Sequence, residues 1–149
     1  AKDAVRREFL VGLIKFNSSA THICQPTGDI VSLEKHTKTM MATGSTNMTD
    51  AIKMAHERLK RVKSSRAIVI ATDGLPNNVK TSIKAGQLAK NDGIDIITIG
   101  TDDADREFLS KLASQTELST KVSREMFAKA ISSASNLLPA PRKTNICKK

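Results

Sequence analysis

The stretch Arg66 to Asn77, RAIVIATDGLPN, constrains the fold most. An unbroken apolar run, Ala67-Ile68-Val69-Ile70-Ala71, ends in Thr72-Asp73-Gly74. Runs of this length bounded by turn residues read as strands buried on both faces, the habit of parallel sheets. The polar residues follow at the carboxyl end of the strand, the end at which open α/β sheets bind ligands. Asp73 is therefore expected at the rim of a sheet, and Gly74 is expected to permit the sharp turn after it.

The flanking sequence supplies the other layers. Leu10 to Phe16 reads as a strand, Asn17-Ser18-Ser19 as a turn, and Ala20 to Cys24 as an antiparallel edge strand. Pro26 and Gly28 are expected to break the chain before a short helix, Asp29 to Met41, capped by Asp29 or Ser32. A polar loop, Met41 to Thr49, leads into a helix with Ile52, Ala55, Leu59 and Val62 on one face. After the central strand, Asn77 or Asn78 caps a helix whose buried stripe is Val79, Ile83, Gly86 and Ala89. Gly93 ends that helix in the left-handed conformation. Ile94 to Gly100 is a strand, Asp102 to Ser114 a helix, Leu118 to Val122 a short strand and Ser123 to Leu138 a last helix. Ala1 to Phe9 has the spacing of the second half of a helix.

Strand and helix alternate from Arg66 onward. This predicts an α/β fold, three-layered and doubly wound, with a mainly parallel sheet and one antiparallel edge strand. One domain is expected over residues 1–138, with a basic, disordered tail at 139–149. No apolar run approaches the roughly 20 residues that cross a bilayer, and no signal peptide is visible, which points to the cytoplasm, with an extracellular location as the alternative.

The net charge of +9 raises nucleic acid as a partner, but the basic residues are scattered and aromatic residues are only 3% of the chain. Cys24 and Cys147 lack metal or redox spacing. His22, His36 and His56 read as surface or edge residues, and Met40, Met41, Met48 and Met54 as packing residues. Asp102, Asp103 and Asp105 read as helix-capping acids rather than a cation site.

Two loops carry the candidate chemistry: Gly44-Ser45-Thr46-Asn47 and Thr72-Asp73-Gly74. A hydroxyl and a carboxylate from separate loops suit a hard divalent cation with oxygen ligands. Together with VGLIKFNSSAT (Val11 to Thr21), GSTNMTDAI (Gly44 to Ile52), IVIATDG (Ile68 to Gly74) and GIDIITIGTDDADREFLSKLAS (Gly93 to Ser114), they resemble the von Willebrand factor type A (vWA) family. The resemblance implies a doubly wound fold and a protein-protein interaction function, exerted through a metal-ion-dependent adhesion site (MIDAS). It implies Thr46 and Asp73 as ligands of Mg2+ or Mn2+, with Ser45, Asn47 and Gly74 beside them facing a partner. An acidic side chain of that partner would complete the metal site. The family's Asp-x-Ser-x-Ser motif, at the end of a central first strand, has no counterpart here, so the domain reads as truncated at its amino end. Two other functions are open on the residues alone: a phosphatase or phosphotransfer enzyme using Asp73, and a basic nucleic-acid binder.

Overall fold

The computed structural model describes residues 5, 9–38, 46–101 and 103–138. Among these residues the strands form two sheets. Strands β1 (Val11–Phe16) and β2 (Ala20–Thr27) make an antiparallel pair. Strands β3 (Ala67–Thr72), β4 (Asp95–Gly100) and β5 (Ser119–Lys121) make a parallel sheet in the order β3-β4-β5. The expected mainly parallel sheet with an antiparallel edge is present, but it is interrupted between β1 and β3.

Helices α1 (Ile30–Lys38), α2 (Met48–Leu59), α3 (Val79–Asn91), α4 (Arg106–Leu112) and α5 (Phe127–Ser133) complete the described fold. Their ends follow the polar residues around them. Asp29 Oδ1 accepts from Val31 and Ser32 N–H, so Asp29 rather than Ser32 caps α1. Asn47, Asn78 and Asp105 cap α2, α3 and α4 in the same way. Gly93 adopts φ +75°, a left-handed conformation that costs glycine little. The last predicted helix is instead α5 flanked by short 3-10 turns, Arg124–Met126 and Ala134–Leu137. The predicted helix Ala1 to Phe9 falls mostly outside the described residues, as do Met40, Met41, Asp102, Cys147 and the tail.

Three layers result. Ile68 and Ile70 of β3, Ile94 just before β4 and Ile96 within it pack against Met48 and Ile52 of α2, Ala85 and Ala89 of α3, and Phe108, Leu109 and Leu112 of α4. On the opposite face, Ile97 and Ile99 pack against Phe127, Ala130, Ile131 and Ala134. Burying one such isoleucine contributes about 1.5–3 kcal/mol.

Four details of the sequence reading change. The strand buried on both faces is β4, whose Ile96, Ile97 and Ile99 are at most 2% exposed. By contrast β3 lies at the sheet's end and leaves Val69 41% exposed, because side chains stand out of the sheet plane and the cluster packed over Ile97 and Ile99 does not extend over Val69. The buried stripe of α3 is Ser82, Ala85, Gly86 and Ala89, while Val79 is exposed. Val62 lies beyond α2 and is exposed as well. Pro26 does not end β2; the ladder accommodates it with register shifts around Leu13, since proline offers no N–H to the pairing.

Candidate functional site

The carboxyl ends of β1 and β3 meet at one rim, joined by the short segment Thr46-Asn47 that leads into α2. Asn17, just after β1, turns back on itself: its Oδ1 accepts from Ser19 N–H at 3.2 Å. This turn presents the Asn17 carbonyl to the backbone N–H of Asn47. On the other side, Asn77 and Thr46 bond reciprocally. Asn77 Oδ1 accepts from Thr46 N–H at 2.9 Å, and Asn77 N–H donates to the Thr46 carbonyl at 2.9 Å. Of the two asparagines after Pro76, therefore, Asn78 caps α3 and Asn77 holds the rim together. Sequence reading offered both only as caps; the signal was the doublet itself, since a helix needs one cap and leaves the second amide free.

The segment Thr46-Asn47 also borders an open polar cavity of about 340 Å³ between the amino ends of α2 and α3. Its lining includes Thr49, Asp50, Lys53, Asn77 and Thr81. Beneath it Thr49 Oγ1 lies 3.0 Å from Thr81 Oγ1 and 2.8 Å from Ser82 Oγ, a chain of hydroxyls that locks the two helices at this end.

The candidate residues fare differently. Thr46 is half-buried at the cavity, with its backbone fixed by Asn77. Asp73 is exposed on the turn after β3, and no hydrogen bond or ion pair among the described residues holds its carboxylate. It does not line the Thr46 cavity. Asn47 spends its side chain on α2: Oδ1 accepts from Asp50 N–H at 3.3 Å and Nδ2 donates to Asp50 Oδ2 at 2.8 Å. The Gly74 turn is pinned by Thr72, whose hydroxyl donates to the Gly74 carbonyl at 3.0 Å and accepts from its N–H at 3.3 Å. Gly74 does not have a positive φ, and a Cβ there would meet nothing within 4 Å. The turn therefore does not require glycine, contrary to the sequence reading. Ser45 lies outside the described residues.

Other acids and histidines of interest are accounted for locally. Asp105 Oδ1 accepts from Phe108 N–H at 2.6 Å as a cap, and Asp103 lies 3.4 Å from Arg124 on the surface. His56, read from sequence as a surface or edge residue, is instead largely enclosed and lies 2.6 Å from Asp92 at the opposite pole of the fold. No group of three or more His, Cys, Asp or Glu among the described residues comes together as a metal cluster.

Asn77→Ala is expected to lower stability by about 1 kcal/mol, the net worth of one hydrogen bond, and to speed exchange of the Thr46 amide. Urea unfolding and amide exchange would check it; an unchanged Thr46 amide would mean that the rim closes without Asn77.

Comparison with known proteins gives this arrangement its context. The thrombospondin-related anonymous protein of Plasmodium falciparum is 32% identical over 66 residues, which is 42% of this chain and 12% of that protein. The crystal structure of the manganese-loaded Plasmodium vivax TRAP protein superposes with a TM-score of 0.68 at 16% identity, covering 87% of this chain and 61% of that one. The structure of proximal thread matrix protein 1 from the mussel byssus, with a zinc-occupied MIDAS motif, gives 0.76 at 20% identity over 95% of this chain and 41% of that one. The chain thus spans less than two thirds of the length of each. At these structural identities the likeness is one of fold. A family model for the von Willebrand factor type A domain matches residues 3–137, and the chain belongs to that family.

Proposed function

We propose that this domain is a protein-protein interaction module that presents the rim around Thr46, Asn47, Asp73 and Gly74 to a protein partner, and that it has no catalysis of its own. The observation that supports this reading is the rim's construction. Backbone and amide bonds from Asn17 and Asn77 fix the Thr46-Asn47 segment, while the Asp73 carboxylate is exposed and has no partner among the described residues. A braced polar platform with an exposed carboxylate suits recognition of another surface. Ser45 is included in the proposed partner face by its position next to Thr46. The module would comprise residues 1–138, with 139–149 appended as a basic tail. The relatives favour a protein partner over nucleic acid. One of them comes from a byssus thread, a structure outside the cell, so we favour the extracellular alternative over the cytoplasm.

Thr46 and Asp73 are oxygen donors of the kind that Mg2+ or Mn2+ takes. In number they do not suffice: two protein donors leave most of an octahedral shell to water. We infer that this chain alone holds such an ion weakly and that further ligands are needed for firm binding. With free metal tenfold below its dissociation constant, linkage stabilises by only about 0.06 kcal/mol. Addition of Mg2+ or Mn2+ is therefore expected to leave the melting temperature unchanged within about 0.5 °C. A clear rise that Asp73→Ala abolishes would show that the two donors suffice.

The interaction reading is tested by adhesion of beads coated with the domain to cell and matrix surfaces. Thr46→Ala and Asp73→Ala are expected to reduce adhesion, while Lys60→Ala, at the far end of α2, leaves it unchanged. Equal adhesion by all variants would place the contact elsewhere. A generic phosphomonoester assay separates the enzyme reading: turnover lost in Asp73→Ala would overturn the present one.

A further inference from the structure

At the pole opposite the rim the chain runs from Arg58 to Arg66, RLKRVKSSR, with five cations and no acid. Two of these cations serve the fold. Arg66 holds the last carbonyls of α2, those of Leu59 and Lys60, and Lys60 is paired with Glu57 at 2.6 Å. The other three have no ionic partner. Arg58 Nη1 donates to a neutral group, Gln25 Oε1 of β2, at 3.1 Å. Arg61 and Lys63 are exposed and make no hydrogen bond or ion pair among the described residues. They also lie beyond the last turn of α2, where the helix dipole no longer attracts cations. Of the pole's acids, Glu57 feels Arg61 as well as Lys60, Asp92 is bonded to His56, and Asp95 is half-buried at the start of β4. The positive field extends to β2: burial first, and then the Arg58 guanidinium, lowers the pKa of His22 against one backbone bond that raises it. Between Arg61 and Lys63, Val62 is 40% exposed, on a turn fixed by its own N–H, which donates to the Leu59 carbonyl at 2.9 Å.

We propose that this pole is a second interaction surface, at which Arg58, Arg61, Val62 and Lys63 take an acidic protein segment that carries an apolar side chain among its carboxylates. The cations select an anionic partner, because close like charges repel one another and an anion relieves that repulsion. Val62 selects a polypeptide. A sulfated or carboxylated sugar chain offers no apolar group to it, and a lipid surface takes a larger apolar face than one valine supplies. Nucleic acid binds by stacking on aromatic residues as well as by charge, and Arg58 to Arg66 contains none. The 12 residues of α2, about 18 Å in length, separate the pole from the rim, so a segment bound here leaves the rim open.

The test uses the 149-residue chain and a capped, fluorescein-labelled peptide, Glu-Asp-Glu-Leu-Glu-Leu-Asp-Glu, read by fluorescence anisotropy. Saturable binding is expected in about 10 mM salt, weakening about tenfold in about 100 mM as the Debye length falls from about 30 to about 10 Å. Arg61→Ser together with Lys63→Ser should weaken binding about tenfold. Lys80→Ser together with Lys84→Ser removes the same charge from exposed positions in the first turns of α3, and should change binding by less than about twofold. All four positions are exposed, and an unchanged urea midpoint checks that each variant is folded. Replacing both leucines of the peptide by serine should weaken it about fivefold. Four results would each overturn the proposal. The peptide could fail to bind in low salt. The two pairs of substitutions could cost the same, which would reduce the pole to its share of the net charge. The serine peptide could bind equally well, which would mean that charge alone is read, as by a polysaccharide. Phosphatidylserine vesicles could bind more tightly than the peptide and be released by Val62→Ser, making a lipid surface the occupant.

Discussion

Leu112→Ala is expected to destabilise the fold by about 2–5 kcal/mol, and Gly86→Ala to recover part of that loss. Leu112 is fully buried in the core formed by α2, α3, α4 and the sheet, so its truncation leaves a cavity that surrounding helices can only partly close. Gly86 lies opposite, on the buried face of α3. A Cβ at Gly86 would stand 2.5 Å from Leu112 Cδ1 and 3.4 Å from Ile96 Cδ1. In the native background two effects oppose each other. Alanine is better than glycine inside a helix by about 1 kcal/mol. Overpacking against an immobile core side chain costs about 1–3 kcal/mol. The second is larger, so Gly86→Ala alone should be destabilising by up to about 2 kcal/mol. With Leu112→Ala the obstacle is gone, and the same substitution should stabilise by about 1 kcal/mol. The two sites should then couple by about 1–3 kcal/mol in a double-mutant cycle measured by urea unfolding. Equal costs of Gly86→Ala in both backgrounds would show that Leu112 is not the reason for the glycine. Against a total stability of about 5–15 kcal/mol, Leu112→Ala alone approaches the threshold for unfolding.

Arg66→Met should cost about 2–4 kcal/mol, because one guanidinium ties together the carboxyl ends of two helices. Arg66 Nη1 donates to the carbonyls of Leu59 and Lys60 at the end of α2, at 3.2 and 3.1 Å. Its Nη2 donates to the Asp92 carbonyl at the end of α3, at 2.6 Å. Carbonyls at a helix carboxyl terminus lack partners within the helix and carry its negative dipole end, so a cation satisfies both needs. Methionine keeps much of the apolar stem and removes the bonds, which separates the polar contribution from packing. Arg66→Lys should recover less than half of the loss, since a single ammonium cannot reach both helix ends as the planar fork does. Full recovery by lysine, read from the urea midpoint, would mean that charge alone accounts for the effect.

Much of the fold was legible in the sequence because its signals are local. The run Ile94 to Gly100, closed by the Asn91-Asp92-Gly93 stop, gave β4 and its left-handed entry. Phe108, Leu109 and Leu112 were assigned to the inner face of α4 from spacing, and they are buried. Phe127, Ala130, Ile131 and Ala134 were likewise placed on one face, although the helix that carries them is interrupted. The family resemblance drawn from four short segments is matched over residues 3–137. The site was less legible. Thr46 and Asp73 were named from motif, but Asn77, which fixes the Thr46 backbone, was read only as a helix cap. Its partner lies 31 residues away, and hydrogen bonds at that separation leave no periodic trace.

The sequence by itself determined which segments are strands and helices, where most of the helices begin and which faces are apolar. Each of these depends on residues within a turn or two of one another. Only the tertiary structure decided which strand is enclosed. An apolar run such as Ala67 to Ala71 looks the same at a sheet's centre and at its edge. Its burial depends on which layers pack over its two faces, and among the described residues β4 is covered on both faces while β3 is covered on the Ile68 and Ile70 face. The same reason governs Arg66, whose three acceptors come from the ends of two different helices. Burial and long-range pairing belong to the neighbours a segment acquires on folding, and those are set by how the layers pack.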